Sequence, residues 1–187
     1  MRKKNSKTKF NVILVEPEGP LNIGNIARLC ANFEINELRI VNPRCKLMSK
    51  EATIMAVHGK SFLENAKEFS TLIEAISDCN KIIATCGRID HGSIPLSNTE
   101  ESLRWLFNSK DSTSMALVFG RESRGLTNDE LQYAQKVINL KTSETYPSLN
   151  LSHAVAIVLY ELQKLKEEEE EEVSNSISLK KNIQNPS

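Results

Sequence analysis

Five short apolar runs punctuate the chain and predict strands. They occupy residues 10–16, 37–41, 81–85, 115–119 and 136–140. Each run is five to seven residues long and is rich in aliphatic residues. Nearly continuous apolar runs of this length, without alternation of polar positions, are typical of strands buried on both faces of a sheet.

Outside these runs, apolar residues recur at three- and four-residue spacing in two stretches. This spacing predicts amphipathic helices at 22–33, after the first run, and at 151–165, after the last. The apolar positions are Ile23, Ile26, Ala27 and Cys30 in the first helix, and Leu151, Val155, Val158, Leu159 and Leu162 in the second. Helical patterns also fill residues 50–76, with an interruption near His58-Gly59.

Several polar residues are placed to start helices. Ser97-x-x-Glu100 and Thr127-x-x-Glu130 are capping-box patterns that predict two shorter helices, the first running through Phe107. Ser148 or Asn150 is expected to cap the helix at 151.

The alternation of strands and helices predicts an α/β fold with a mostly parallel sheet flanked by helices on both faces. Ligands bind such sheets beyond the carboxyl ends of the strands. Three loops with candidate chemistry, 17–25, 120–125 and 145–150, each follow a predicted strand. We therefore expect them to meet at one end of the sheet.

The two ends differ in composition from the body. Residues 1–9 include five Lys or Arg and predict a basic flexible arm. Residues 166–187 hold a run of six glutamates and then Ser/Asn-rich sequence, which predicts a disordered acidic and polar tail. Residues 10–165 are expected to form one domain.

Charge is balanced overall but not locally. The chain has 24 basic and 24 acidic residues; six of the acids and two of the bases follow residue 166. Residues 1–166 therefore hold 22 bases and 18 acids, a net charge of about +4. This excess permits a nucleic-acid partner without requiring one.

The four cysteines lack paired C-x-x-C spacing and the three histidines are scattered, so we expect no metal site. Unpaired cysteines fit a reducing compartment. No stretch has the length of a membrane span or the apolar run of a signal peptide. These patterns predict a cytoplasmic protein without membrane contact.

The first candidate constellation is Asn22-x-Gly24-Asn25-x-x-Arg28. Gly24 permits close backbone approach near a helix start. Arg28 offers a planar fork for a phosphate or carboxylate, and lies about 9 Å from Asn22 along a helix axis. The alternative is an ordinary surface arginine on a capped helix.

The second constellation follows the fourth predicted strand, where Gly120 and Gly125 bracket Arg121 and Glu122 as a loop around a ligand would require. It is neither the six-residue dinucleotide fingerprint nor a P-loop. The alternative is a strand-to-helix turn with solvated charges. The third constellation places Ser148 and Asn150 at a helix start, where free N–H groups suit ligand binding, although a capped core helix would look the same.

Taken together, the three stretches resemble the SpoU branch of the SPOUT superfamily of RNA methyltransferases. The matching motifs are Asn22-x-Gly24-x-x-x-Arg28, Leu117-Val-Phe-Gly-Arg-Glu122-x-x-Gly125-Leu126 and Ser148-Leu-Asn-Leu-Ser152, in that order. The resemblance covers about residues 10–165. The phrases LVEPEGPLNIGNIAR and FGRESRGLTNDEL look most like TrmJ-type tRNA methyltransferases.

The resemblance implies a deep trefoil knot near the C-terminus, a homodimer, and transfer of a methyl group from S-adenosyl-L-methionine to a ribose 2′-hydroxyl of RNA, in the tRNA anticodon loop for TrmJ-type members. It implies catalytic roles for Asn22, Arg28, Glu122, Ser148 and Asn150. It implies cofactor binding at Thr85, Cys86, Gly87, Gly120, Leu140, Leu149 and Asn150, and no metal.

Two alternatives stay open. One is a catalytically inactive RNA-binding module of the same fold. The other is a nucleotide-binding oxidoreductase, although no G-x-G-x-x-G follows the first strand. Bacterial TrmJ-type proteins also often carry a longer C-terminal region than the acidic and polar tail found here.

Overall fold

The computed structural model describes residues 8–87, 93–107 and 113–184; side chains in the last helix are described through residue 171 and at Ser174. The strands are β1 (Lys9–Val15), β2 (Glu37–Val41), β3 (Lys67–Phe69), β4 (Lys81–Thr85), β5 (Ser114–Phe119) and β6 (Lys136–Ile138). The helices are α1 (Pro20–Asn32), α2 (Lys50–Ala56), α3 (Lys60–Glu64), α4 (Leu72–Ile76), α5 (Thr99–Phe107), α6 (Asn128–Leu131) and α7 (Leu151–Gln184), and a short 3-10 turn at Val57–Gly59 joins α2 to α3.

The described strands form one sheet in the order β3-β2-β1-β5-β4-β6, and every pairing is parallel. This confirms the predicted α/β class. The chain leaves β1 toward β2 on one side, while β5 and β4 lie on the other side of β1. Leu14 of β1 is in register with Phe119 of β5, so the loops after these two strands begin side by side.

Helices cover the sheet on both faces, which is why every strand except β3 is mostly apolar. Val12 and Leu14 of β1 belong to the core beneath α1, α5 and α7. Ile13 and Val15 face the opposite core, which includes residues of α4 and α6. The predicted apolar faces of α1 and of the start of α7 are buried in the first core.

Four differences from the sequence prediction concern three strands and one helix cap. Strand β3 was missed because it is a three-residue edge strand without a buried apolar run, held by pairing with β2. Strand β1 begins one residue early, so Lys9 belongs to it and not to the predicted arm, whose residues 1–7 lie outside the described part of the chain. Strand β6 ends at Ile138, and this leaves Leu140 in a loop.

The fourth difference concerns a helix cap. Helix α5 starts at Thr99, and the Oδ1 of Asn98 accepts the N–H of Glu101 at 3.0 Å. Asn98 therefore takes the capping role that the sequence pattern gave to Ser97. The Thr127–Glu130 capping box is confirmed. Asn150 is also confirmed as the cap of α7, since its Oδ1 accepts the N–H of Ser152 at 2.9 Å.

Helix α7 continues to Gln184 through the residues that were predicted to form a disordered tail. Glutamate is a good helix former, so local propensity does not end the helix at residue 166. An ion pair between Arg104 of α5 and Glu168, 2.7 Å long, also holds this part of α7 against the body. Long as α7 is, neither it nor another helix in the described ranges has an apolar stretch able to cross a membrane.

Helix α1 is fixed by close packing at Gly24. A Cβ at this position would lie 2.3 Å from the carbonyl oxygen of Ala52 and 2.8 Å from the Cβ of Met55. The predicted close approach at Gly24 is therefore against α2. It sets the position of α1, which carries Asn22 and Arg28.

Candidate active site

A cleft opens at the carboxyl edge of the sheet, where the loops after β4, β5 and β6 meet the start of α7. It has a volume of about 180 Å³ and is partly open to solvent. Its lining comprises Thr85, Cys86, Gly87, Phe119, Gly120, Arg121, Glu122, Ser123, Arg124, Gly125, Leu140, Pro147, Ser148, Leu149, Leu151 and Ala154.

Most residues singled out for cofactor binding line this cleft. They are Thr85, Cys86, Gly87, Gly120, Leu140 and Leu149. Asn150 is absent from the lining, because its carboxamide turns to the first N–H groups of α7. Thus the structure brings together three stretches that lie far apart along the chain.

Backbone contacts explain how the floor of the cleft is held. The N–H of Cys86 donates to the carbonyl of Ile138 at 2.9 Å, and the side-chain amide of Asn139 donates to the carbonyl of Cys86 at 2.7 Å. These bonds extend the pairing of β4 with β6 beyond the strands. The ends of the two strands therefore stay together beneath the cleft.

Only two of the five residues given catalytic roles line the cleft. Glu122 and Ser148 line the cleft. Asn22 does not line it, but its side chain contacts Glu122. Arg28 is exposed on α1 and lies outside the cleft lining.

Glu122 joins the loop after β5 to the start of α1. Its Oε1 accepts the N–H of Gly19 at 2.9 Å and the side-chain amide of Asn22 at 2.9 Å, and its Oε2 accepts the N–H of Glu18 at 2.8 Å. A carboxylate at a helix N-terminus is favoured by the unpaired N–H groups and the helix dipole. These contacts suit a residue that positions α1.

Arg121 is the residue whose role the sequence did not reveal. It is only 6% exposed. Its guanidinium contacts Glu130 through two bonds of 2.9 Å, Glu16 at 2.9 Å and the carbonyl of Gly125 at 3.2 Å. The alternative of solvated loop charges is therefore wrong for Arg121. The Thr127–Glu130 capping box was a partial signal, but only the fold brings Glu16 to this guanidinium.

Close backbone packing completes the loop. The N–H of Gly125 donates to the carbonyl of Arg121 at 2.9 Å, and the N–H of Arg121 donates back to Gly125 at 3.3 Å. A Cβ on Gly120 would lie 2.2 Å from the carbonyl carbon of Gly125. Glycine at 120 is thus required for the loop to close, and Gly125 adopts a positive φ of 67°.

The ion pairs also change the acidity of Glu16. Its pKa falls from 4.5 to about 2, chiefly because of the hydrogen bond from Arg121 and then that from Arg44. Glu16 is consequently ionised at any pH where the protein is expected to work. Among the described residues, no cluster of His, Cys, Asp and Glu is arranged to hold a metal ion.

The sequence profile of the SpoU rRNA Methylase family matches residues 9–160. The chain belongs to this family. The SpoU branch named from the three motifs is thereby confirmed.

Two SpoU-type relatives illustrate the similarity. The chain is 40% identical over 157 residues to tRNA (cytidine-2′-O-)-methyltransferase TrmJ of Methanocaldococcus jannaschii, covering 82% of this chain and 66% of the relative. It is 34% identical over 154 residues to tRNA (cytidine/uridine-2′-O-)-methyltransferase TrmJ of Salmonella typhimurium, covering 82% and 63%. The chain thus spans slightly less than two thirds of the length of these relatives.

Solved SpoU-family structures share the fold. The crystal structure of TrmJ from Z. mobilis ZM4 matches with a TM-score of 0.75 and 32% identity, covering 83% of this chain and 69% of that one. A probable methylase family protein from Haemophilus influenzae Rd KW20 matches with a TM-score of 0.76 and 30% identity, covering 84% and 66%. Both comparisons cover more than four fifths of this SpoU-family chain.

The lowered pKa of Glu16 predicts how stability depends on pH. A carboxyl with a depressed folded pKa contributes stability above its unfolded pKa and loses that contribution as pH falls toward the folded value. We expect Glu16→Gln to lower the free energy of unfolding at neutral pH, and to remove part of the stability loss that the wild type shows between pH 4.5 and about 2. Urea unfolding across this range measures both effects.

The matched control is Glu68→Gln, which removes the same charge from an exposed position on the edge strand β3. It should leave the pH profile close to that of the wild type. Parallel profiles for wild type and Glu16→Gln would show that the ion pairs of Glu16 contribute nothing to stability in this range.

Proposed function

We propose that this chain is an S-adenosyl-L-methionine-dependent RNA methyltransferase that transfers a methyl group to a ribose 2′-hydroxyl in the anticodon loop of tRNA. The observation that carries the proposal is the single cleft shared by six candidate cofactor residues, Glu122 and Ser148. Membership of the SpoU family supports it. The relatives from Methanocaldococcus jannaschii and Salmonella typhimurium are named as tRNA methyltransferases, and this supports tRNA as the substrate class.

The residues of the cleft fit this cofactor. Phe119, Leu140 and Leu149 offer apolar surface for a flat heterocycle, and the backbone at Thr85 to Gly87 offers polar groups beside it. Among the described residues, apart from its chain neighbours, no atom lies within 4 Å of the position that a Cβ on Gly87 would take, so the described part of the chain leaves space there. When bound, S-adenosyl-L-methionine supplies a methyl group on a sulfonium, an activated donor that requires no metal.

The protein's own contribution is positioning and charge stabilisation. Alignment of the reacting oxygen in a partly enclosed cleft lowers the barrier without a covalent intermediate. Ser148 lies on the cleft wall with a hydroxyl that can accept the proton of the 2′-hydroxyl while giving up its own to solvent water in the partly open cleft. Glu122 and Asn22 hold the start of α1, and Asn150 holds the start of α7, so these three act through position.

Arg28 is assigned the stabilisation of negative charge. A guanidinium stays protonated in proteins, so it is a poor proton acceptor but a good partner for a phosphate or for charge developing on the 2′-oxygen. Because Arg28 is exposed on α1 and outside the cleft lining, it reaches the reacting groups only when RNA or a second subunit is bound.

We also infer the deep trefoil knot and the homodimer that characterise the family. The knot is supported by convergence of the loops after β4, β5 and β6 with the start of α7 on one cleft. The dimer is supported by apolar side chains left exposed on α1 and on α2 and α7, the two helices that pack against it in this set. These side chains are Leu21, Ile54, Ile157 and Tyr160.

The central test is methyl transfer to tRNA, followed by mass mapping of the methylated ribose. Arg28→Ala should lower kcat by roughly 10²–10³-fold, the size expected when a charge-stabilising donor is removed, with little change in cofactor affinity. Arg28→Lys should recover only part of the rate because an ammonium cannot reproduce the planar fork.

Arg104→Ala is the control, since it removes an arginine that pairs with Glu100 and Glu168 away from the cleft. An Arg28→Ala enzyme with normal turnover would contradict the assigned role. Tight tRNA binding by the wild type without any methylation would favour the inactive RNA-binding module instead.

Cofactor placement is tested at Gly87. Gly87→Leu should weaken S-adenosyl-L-methionine binding by about tenfold or more, because the new side chain fills open space in the cleft without displacing backbone. Gly87→Ala, which adds a single carbon at the same site, should have a smaller effect. Isothermal titration calorimetry measures both; equal affinities for wild type and Gly87→Leu would place the cofactor elsewhere.

The dimer is tested by light scattering. A homodimer of this 21.0 kDa chain should have twice that mass. Tyr160→Glu should shift the mass toward that of the monomer, because it introduces a charge on the exposed face of α7. Tyr133→Glu, at an exposed position after α6, serves as the control and should leave the mass unchanged. A wild-type monomer across the micromolar range would refute the dimer.

A further inference from the structure

The mouth of the cleft carries a positively charged side chain that the fold leaves free. Of the four residues between Gly120 and Gly125, three are held by internal contacts: Arg121 by Glu16 and Glu130, Glu122 by the start of α1, and Ser123 by a 2.7 Å hydrogen bond to Glu18. Arg124 lines the cleft and is exposed. Within the described residues it has no hydrogen bond or ion pair.

This arrangement matters because the loop around Arg124 is rigidly held while its guanidinium is not engaged. A donor on a fixed loop loses little backbone freedom when it binds a ligand. The guanidinium has five N–H donors and no acceptor, so its natural partner is an anion such as phosphate or carboxylate.

A second free group lies beside the same cleft. Tyr146 is 78% exposed, and it directly precedes Pro147 and Ser148, which line the cleft. Its loop is constrained by a 2.9 Å hydrogen bond from the hydroxyl of Thr142 to the carbonyl of Pro147. An exposed aromatic ring on a constrained loop is a surface on which an unpaired RNA base stacks.

We propose that Arg124 and Tyr146 together hold the substrate RNA at the mouth of the cleft, Arg124 by binding a backbone phosphate and Tyr146 by stacking on a base of the same single-stranded segment. This inference rests on the proposed function. It assigns RNA contacts to Arg124, at an unspecified position of the second motif, and to Tyr146, which lies outside the three motifs.

The other anion that the Arg124 guanidinium could bind is the carboxylate of S-adenosyl-L-methionine. Arg124 is exposed, and so is Tyr146, which directly precedes two residues of the cleft lining. Exposure of both groups to solvent favours the RNA phosphate. Phosphate contacts release counterions and therefore give affinity a steep salt dependence, whereas a contact with the cofactor changes cofactor affinity. The two cases are thus separable by measurement.

The first experiment uses the full chain and an in vitro transcribed tRNA anticodon stem-loop, with binding followed by fluorescence anisotropy at several salt concentrations. Arg124→Gln should weaken RNA binding by about tenfold, as expected for loss of a charge-assisted contact. It should also reduce the slope of log K against log salt by about 0.7, corresponding to one phosphate on single-stranded RNA. Affinity for S-adenosyl-L-methionine, measured by calorimetry, should stay unchanged.

Arg104→Gln is the matched control, because it makes the same change in net charge on α5, away from the cleft. It should preserve both the affinity and the slope. An unchanged slope for Arg124→Gln, or a loss of cofactor affinity with RNA affinity intact, would overturn the assignment of Arg124 to an RNA phosphate.

The second experiment tests stacking. Tyr146→Ala should weaken RNA binding by about tenfold without changing the salt slope, since base–aromatic stacking involves no phosphate. Tyr146→Phe keeps the ring and should bind like the wild type. Equal affinities for Tyr146→Ala and wild type, or a Phe variant as weak as the Ala variant, would remove stacking from the proposal.

The two experiments distinguish failure of the assigned RNA contacts from failure of the proposed function. If the wild type binds and methylates tRNA while both variants behave like it, only the RNA contacts assigned to Arg124 and Tyr146 are wrong. If the wild type neither binds nor methylates RNA, the proposed methyltransferase function itself is wrong.

Discussion

The loop between Gly120 and Gly125 depends on two oppositely charged side chains, and much of the candidate site depends on that loop. Arg121 is tied to the end of β1 through Glu16 and to the start of α6 through Glu130. Its neighbour Glu122 is tied to the start of α1. Neighbouring residues thus anchor the loop to three separate elements. These anchors fix the part of the cleft wall that the loop itself forms.

The buried position of Arg121 makes this arrangement sensitive to change. Breaking one partner of a buried ion pair commonly costs about 3–5 kcal/mol, because it leaves a charge without compensation in a poorly solvated place. The guanidinium here has two carboxylates and a carbonyl as partners. The low pKa of Glu16 reflects the same contacts. Such a network defines one loop geometry more strongly than apolar packing alone, which is useful where a ligand must meet several loops at fixed distances.

The cleft and its mouth have different chemical characters. The inner wall is formed by apolar side chains and by glycine and backbone groups, so it suits a neutral, flat part of a ligand. Arg124 and Tyr146, which have no side-chain partner among the described residues, are at or beside the exposed rim. Arg28 lies on α1, outside the cleft. This separation fits an enzyme that encloses a small cofactor and receives a large, charged substrate from solvent.

The sequence by itself determined the fold class, five of the six described strands and the motifs that identify the family. Apolar runs flanked by turn residues mark buried strands locally, and glycines mark backbone that must approach closely, as Gly24 does against Ala52. Edge strand β3 escaped because its order comes from pairing with β2. The continuation of α7 past residue 166 was likewise missed, since composition alone does not show the contact between Arg104 and Glu168.

Only the tertiary structure decided which charged residues are buried and which are free. Arg121 and Arg124 lie in one short loop and look alike in sequence, yet one is enclosed by Glu16 and Glu130 while the other lines the cleft without a partner in the described chain. The structure also shows that Asn150 and Ser148 have different roles: Asn150 caps α7, whereas Ser148 lines the cleft. The physical reason is that the partners of a side chain can lie more than a hundred residues away along the chain, as Glu16 does from Arg121. Strand order and helix packing, not local pattern, therefore determine its environment.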